Sequence, residues 1–425
     1  MKTATATVVC CFLAALCEGF DLQAAGVTAT GIAAVFKPTP DQLGTFFSAS
    51  TLGLLLGALL GGRLADSVGR KRTLLASIGV FGAISLVTAF TWSIDSLTVA
   101  RLMTGLGLGG AFPTLMAWVN EKSAPNRRRA NVALVYAAMP LGGALVSFMT
   151  LLMPSDRWRL VFVAGGVAPL MLLPIVQWAL RESQRHEGAA PAASAAPAAS
   201  AAPEPVVALA ESKMPKAGSF IAIFKEGRAL PTVLLWVCCL LGQLTLYLLL
   251  SWLPTLLVGM GFTKSEASLA QIGFNVGGAL SAWMLGQLLE GRWRTPSLIA
   301  SFIAAPLLIY LLSLSPGAVW VVVIIAFSLG GALIGAQGYY YASAPIVYPT
   351  TIRGVGSGAT VAAGRLGSVI GPKLGGILKS LGHSSTQLFG DLVPLVMLGS
   401  AAGFAFAFIA IKKRVGTVKA NRGIV

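Results

Sequence analysis

The chain has 425 residues, of which 56% are hydrophobic and only 11% charged, with a formal net charge of +16. A water-soluble fold of this length needs more charge on its surface than that. Apolar runs of about 20 residues recur, each long enough to cross a ~30 Å hydrocarbon layer as a helix, so the sequence reads as an all-α polytopic membrane protein.

Twelve spans are predicted, the first over residues 5–33. It holds Cys10, Cys11 and Cys17, read as small packing residues, and two acids, Glu18 and Asp21. Carboxylates are expensive in hydrocarbon and mark a functional site. At helical rise they lie roughly 20 and 24 Å from residue 5. Their i,i+3 spacing puts them on one face, which must look into the bundle or a wet cavity. Two carboxylates in a low dielectric do not readily ionise together, so one is expected to bind and release a proton. The alternative is a structural pair fixed by Arg or by backbone donors. One nearby cation and an acidic second half argue for a retained helix rather than a cleaved signal.

The second span, 43–65, runs into the loop GGRLADSVGRKR at 61–72, where glycines end a helix and a basic cluster follows Asp66. Asp66 can bond backbone N–H groups at a helix terminus or pair with an Arg. Spans at 73–92 and 96–120 follow. Arg101 enters the latter by about five residues, roughly 8 Å. It either snorkels to the interface or couples to a titrating acid. Spans five and six cover 129–153 and 158–180. Residues 181–228 are rich in Ala, Pro and Ser without apolar periodicity, and read as a flexible linker between six-span halves at 1–180 and 229–425.

Span seven, 229–258, contains Cys238 and Cys239 and places Gln243, Tyr247 and Ser251 at i,i+4 spacing. Span eight, 266–288, does the same with Gln271 and Asn275. Span nine covers 295–314, and span ten, 317–346, carries Gln337, Tyr340 and Tyr341. Such groups can stack on a ring and bond a phenolic hydroxyl, or pack in the bundle. Arg353 opens span eleven, 354–379, and Arg365 lies twelve residues on, roughly 18 Å deeper. An Arg at that depth can grip a carboxylate bidentately or pair with Asp21 or Glu18. Arg353 serves equally as a loop residue at the membrane surface. Span twelve covers 389–411.

With the N-terminus in the cytoplasm, 23 of the 31 Lys and Arg fall in inner segments and four in outer loops. The basic charge therefore sets topology, with both termini cytoplasmic, and binds anionic lipid rather than nucleic acid. The halves echo each other weakly: VCC at 9–11 recurs at 237–239, and GRLAD at 62–66 is matched loosely by GQLLE at 286–290. At the offset of the VCC pair, Glu18 and Asp21 correspond to about Leu246 and Leu249. Packing alone thus did not require the acids.

The loop at 61–72 resembles the signature loop of the major facilitator superfamily, matched by Gly62, Leu64, Ala65, Asp66, Gly69, Arg70 and Lys71. The resemblance implies a fold of two six-helix halves and a gating role for Gly62, Asp66, Gly69, Arg70 and Lys71. RLMTGLGLGGAFP at 101–113 resembles the superfamily's fourth-helix pattern. EGFDLQAAG at 18–26 resembles the first-helix signature of the aromatic acid:proton symporter family, with Glu18 where an Asp is usual. With ARLMTGLGLGGA and VAAGRLGSVIGP, it is similar to the 3-(3-hydroxyphenyl)propionate transporters of that family.

These resemblances imply an inner-membrane symporter that imports a hydroxylated aromatic carboxylate with protons. Glu18, Asp21 and Arg101 are expected to handle the proton. Arg365, Arg353, Gln243, Tyr247, Gln271, Asn275, Gln337 and Tyr340 are expected around the substrate. A monomer without cofactor or metal is expected, and no nucleotide loop or nucleophile motif points to an enzyme. The rivals are an efflux antiporter of the same fold and a membrane sensor that binds aromatic acids without moving them.

Overall fold

The computed structural model describes residues 2–187, 218–288, 294–314 and 317–422. Among them are twelve long helices and one short one: α1 (Lys2–Phe36), α2 (Pro40–Val68), α3 (Arg70–Thr88), α4 (Ile94–Lys122), α5 (Arg128–Leu152), α6 (Trp158–Glu187), α7 (Gly218–Ala222), α8 (Ala229–Gly259), α9 (Lys264–Leu288), α10 (Arg294–Ser313), α11 (Val319–Val347), α12 (Arg353–Ser380) and α13 (Ser385–Arg422). Ten are long and apolar enough to cross a membrane. The two that fall short, α9 and α12, are those that bring Gln271, Asn275, Arg365 and Lys373 into the bundle.

Local chemistry sets the ends. Thr39 caps α2 with Gln42 in a reciprocal box, and Ser93 does so for α4 with Ser96. Gly69 alone separates α2 from α3, at φ +96°, a backbone conformation open to glycine and strained for other residues. Between helices surrounded by lipid the hydrophobic effect gives little preference for association, and close backbone contact does the work. A Cβ on Gly105 would lie 2.1 Å from the Ser50 carbonyl oxygen, so α2 and α4 touch backbone to backbone. A Cβ on Gly19 would lie 2.0 Å from the Met139 carbonyl oxygen, which seats α1 equally hard on α5.

Helices α1–α6 form one half and α8–α13 the other. They meet where α5 packs on α9, α2 on α12 and α1 on α8. One end of the bundle carries the Lys37 turn, the other the Arg70 turn. Toward the Lys37 end the halves are sealed together. Lys373 donates to Asp41 Oδ1 and Thr45 Oγ1, both at 2.7 Å. Ser48 donates to the Val369 carbonyl at 2.9 Å, and Lys264 to the Met153 carbonyl at 2.7 Å. The Phe47 and Trp252 rings meet edge to face at 5.1 Å. Gly44 and Gly376 face each other, and a Cβ on Gly44 would stand 2.9 Å from Gly376 Cα.

The segment read as a linker is partly folded. Helix α6 continues to Glu187, and α7 with the residues after it packs at the Arg70 end. There Ile223 is buried with Tyr348 and Ile352, and its carbonyl accepts from Thr232 Oγ1 at 3.1 Å. Ile223 supplies an apolar anchor that a compositional reading of 181–228 averages away. Residues 188–217 lie outside the described residues.

Candidate functional site

Glu18 and Asp21 sit at the middle of α1, and both are buried. Asp21 is held on every side. Its Oδ2 accepts from Arg101 Nη1 at 2.8 Å and its Oδ1 from Ser85 Oγ at 2.6 Å. Arg101 Nη2 donates to the Asp21 backbone carbonyl at 2.7 Å, and Arg101 Nε to Ser50 Oγ at 2.9 Å. The Phe162 ring lies 5.7 Å from the guanidinium carbon. Arg101 does not snorkel; its side chain is 0% exposed. An ion pair this deep is tolerated because charge and hydrogen-bonding capacity are met together.

Glu18 has no such cage. Its Oε2 is buried without a hydrogen-bond partner, and the cation facing it is Arg365 of α12, across the junction of the halves. The i,i+3 spacing leaves the acids within electrostatic reach of each other, but the groups that hold them differ. The 60° that separates them around the helix turns Asp21 toward α3 and α4 and Glu18 toward α12.

Arg365 is partly exposed, and it lies within electrostatic reach of Tyr136 from α5, Tyr247 from α8 and Tyr341 from α11. Gln243 donates from Nε2 to the Tyr341 hydroxyl at 2.9 Å. Phe112 packs against Tyr136 with ring centroids 6.1 Å apart. The result is a cation with three tyrosine hydroxyls within electrostatic reach and a carboxyl opposite. It can clamp a carboxylate while rings line the walls.

Gln271 and Asn275 are engaged elsewhere. Gln23 donates to Asn275 Oδ1 at 2.8 Å and accepts from Asn275 Nδ2 at 2.8 Å and Gln271 Nε2 at 3.1 Å. These amides link α1 to α9 across the halves. Gln337 and Tyr340 are not brought to Arg365. Tyr340 stacks on Phe302 at 5.9 Å, and both residues line a separate cavity between α8, α10, α11 and α13. Successive residues of α11 face different neighbours, so Tyr341 reaches the Arg365 site and Tyr340 does not. Arg353 lies at the start of α12, partly exposed, with Nε unpartnered.

At the 61–72 loop, Gly62 is exposed and Gly69 makes the turn, while Arg70 forms an ion pair with Glu121 at the end of α4. Lys71 is partly exposed at the start of α3. Asp66 belongs to the last turn of α2; its side chain lies outside the described residues. The five cysteines are free.

Two contributors carried little sequence signal. Tyr136 is one tyrosine in an apolar helix, and Gln23 follows Asp21 closely enough to read as part of the same motif. A lone polar residue in a span at i+2 from a buried acid points to a second, differently facing contact.

Residues 11–372 match the Major Facilitator Superfamily. The chain belongs to that superfamily. Within it, the sequence is 39% identical to the 3-(3-hydroxyphenyl)propionate transporter of Escherichia coli K12, over 94% of this chain and 93% of that one. It is 32% identical to the gallate transporter of Pseudomonas putida, over 90% and 87%. With a 4-hydroxybenzoate transporter of Acinetobacter baylyi it shares 31% identity over 95% and 91%. Among solved structures, a D-xylose–proton symporter superposes with a TM-score of 0.71 at 15% identity, covering 95% of this chain and 97% of that one. That likeness establishes the major facilitator fold.

Proposed function

We propose that this protein imports a hydroxylated aromatic carboxylate, 3-(3-hydroxyphenyl)propionate or a close analogue, together with protons by alternating access. The observation that carries the reading is the pairing of an uncaged Glu18 with Arg365, within reach of three tyrosine hydroxyls, while Asp21 is separately neutralised by Arg101.

Without substrate, an ionised Glu18 and Arg365 balance each other's charge. A substrate carboxylate on Arg365 replaces that balance, and a proton on Glu18 removes the surplus negative charge. Proton and substrate then favour each other's binding, and the coupling is reciprocal. The energetics fit uptake: moving a monoanion into a negative interior costs about 2.3 kcal/mol per 100 mV, and one accompanying proton cancels that cost. Tyr136, Tyr247 and Tyr341 supply ring contacts, with Gln243 holding Tyr341. The Asp21–Arg101 pair fixes the part of α1 that presents Glu18.

The excess of basic residues at the Arg70 end makes that end cytoplasmic, in the cell inner membrane, with both termini inside. Its Lys and Arg face anionic headgroups. The seal at the Lys37 end then closes the outer side. The halves at 1–180 and 229–425 rock about the site, tethered by 181–228, and the 61–72 loop with the Arg70–Glu121 pair braces the cytoplasmic gate. One chain supplies both walls of the site, which suits a monomer.

Reconstitution tests the reading. Proteoliposomes with an inward proton gradient are expected to accumulate labelled 3-(3-hydroxyphenyl)propionate, and unlabelled hydroxybenzoates and gallate to compete in graded order. Gradient-driven expulsion of the compound, or binding without flux, overturns it.

A further inference from the structure

Behind the wall that carries Gln243 and Tyr341 lies a cavity with about 30 Å³ of room for water centres. It lies within the α8–α13 half, walled by α8, α10, α11 and α13. Gln337 of α11 lines it and is 2% exposed. Neither Nε2 nor Oε1 of that amide has a hydrogen-bond partner in the protein. The amide presses on α8 so closely that a Cβ on Gly242 would stand 2.0 Å from Nε2.

The rest of the rim is polar enough to matter. Thr245 and Ser301 spend their hydroxyl protons on the Leu241 and Ser297 carbonyls, which leaves oxygen lone pairs facing the cavity. Tyr340 lies beside the Cys238 thiol, and Ser400 lines the opposite side. A buried amide that finds neither donor nor acceptor from the chain needs both from elsewhere. Water supplies both in one molecule, and a cavity of this size exceeds the roughly 10–15 Å³ that one water requires.

We propose that this cavity is a hydration site: one or two water molecules bound by the Gln337 amide and shared with the hydroxyls of its rim. Gln337 thus serves the back of the α8–α11 wall rather than the substrate. The bound water gives that wall a partner that re-forms its bonds as the helices shift during turnover. A lipid tail does not suit the site, because it offers the amide nothing.

Hydroxyl radicals generated by X-ray radiolysis of ordered water modify the side chains beside it, so footprinting of the full-length protein in nanodiscs with mass-spectrometric readout tests the site. Phe302 on the cavity wall is compared with Phe274 and Phe389, which are 2%, 0% and 0% exposed respectively. Phe302 is expected to be modified several-fold faster than the other two, and to fall to their level in Gln337→Leu. Equal rates for the three rings in the native protein overturn the proposal, and so does a Phe302 rate unchanged by Gln337→Leu. The native comparison decides alone if the variant does not fold.

Discussion

Arg101 holds Asp21 by its side chain and its main chain at once, at 2.8 Å and 2.7 Å. The pair therefore fixes the rotation of α1 about its own axis as well as neutralising a charge. Breaking it is expected to unsettle the whole first half. Arg101→Ala should lose about 3–5 kcal/mol by leaving a buried carboxylate unpaired. Asp21→Asn with Arg101→Gln should recover much of that loss. Thermal unfolding in detergent measures both. Equal stability of Arg101→Ala and the native protein would refute the structural role.

Glu18→Gln removes the titrating group and keeps its shape. Accumulation driven by an imposed pH gradient should vanish, while exchange of labelled for unlabelled substrate at equal pH persists. The dependence on pH should also flatten, because native uptake needs Glu18 to be protonated on one side of the membrane and to release that proton on the other. Gradient-driven uptake by Glu18→Gln at the native rate would remove Glu18 from the coupling.

Arg365→Gln deletes the charge opposite the substrate carboxylate. Loss of a charge-assisted contact worth about 1.5–3 kcal/mol weakens apparent affinity about 10- to 150-fold. Arg365→Lys should restore only part of it, since an ammonium group lacks the planar fork. Binding isotherms in detergent read this directly, and an unchanged Kd would place the carboxylate elsewhere.

Gly44 and Gly376 leave no room for a side chain on either, because a Cβ on Gly376 would stand 2.8 Å from Gly44 Cα. Gly376→Val should therefore hold α2 and α12 apart at the Lys37 end and slow uptake more than Gly376→Ala does. Native uptake by Gly376→Val in proteoliposomes would show that the two helices need not close there during turnover.

The spans and the acidic midpoint of α1 were legible because each has a one-dimensional signature: an apolar run of fixed length and a charge in hydrocarbon. The end of α2 was not: the helix expected to stop at the glycines of GGRLAD runs through Gly61 and Gly62 to Val68 and turns at Gly69. The partners of Glu18 and Asp21 were not, because i,i+3 spacing places residues on a helix without saying which helix each side meets. The same limit moved Gln337 and Tyr340 from the substrate wall to the cavity behind it. It also concealed Tyr136 and Gln23, whose importance comes from α12 and α9. Composition missed α7 because a few residues around Ile223 do the docking within a long Ala-, Pro- and Ser-rich stretch.

Gln23 and Asn275 trade hydrogen bonds as two neutral amides, whereas Asp41 and Lys373 nearer the surface meet as ions. Dissolved electrolyte weakens attraction between ions and leaves an exchange between uncharged groups almost untouched. The inner fastening should then hold alike in fresh or brackish surroundings, and only the outer one should loosen as the medium grows saltier.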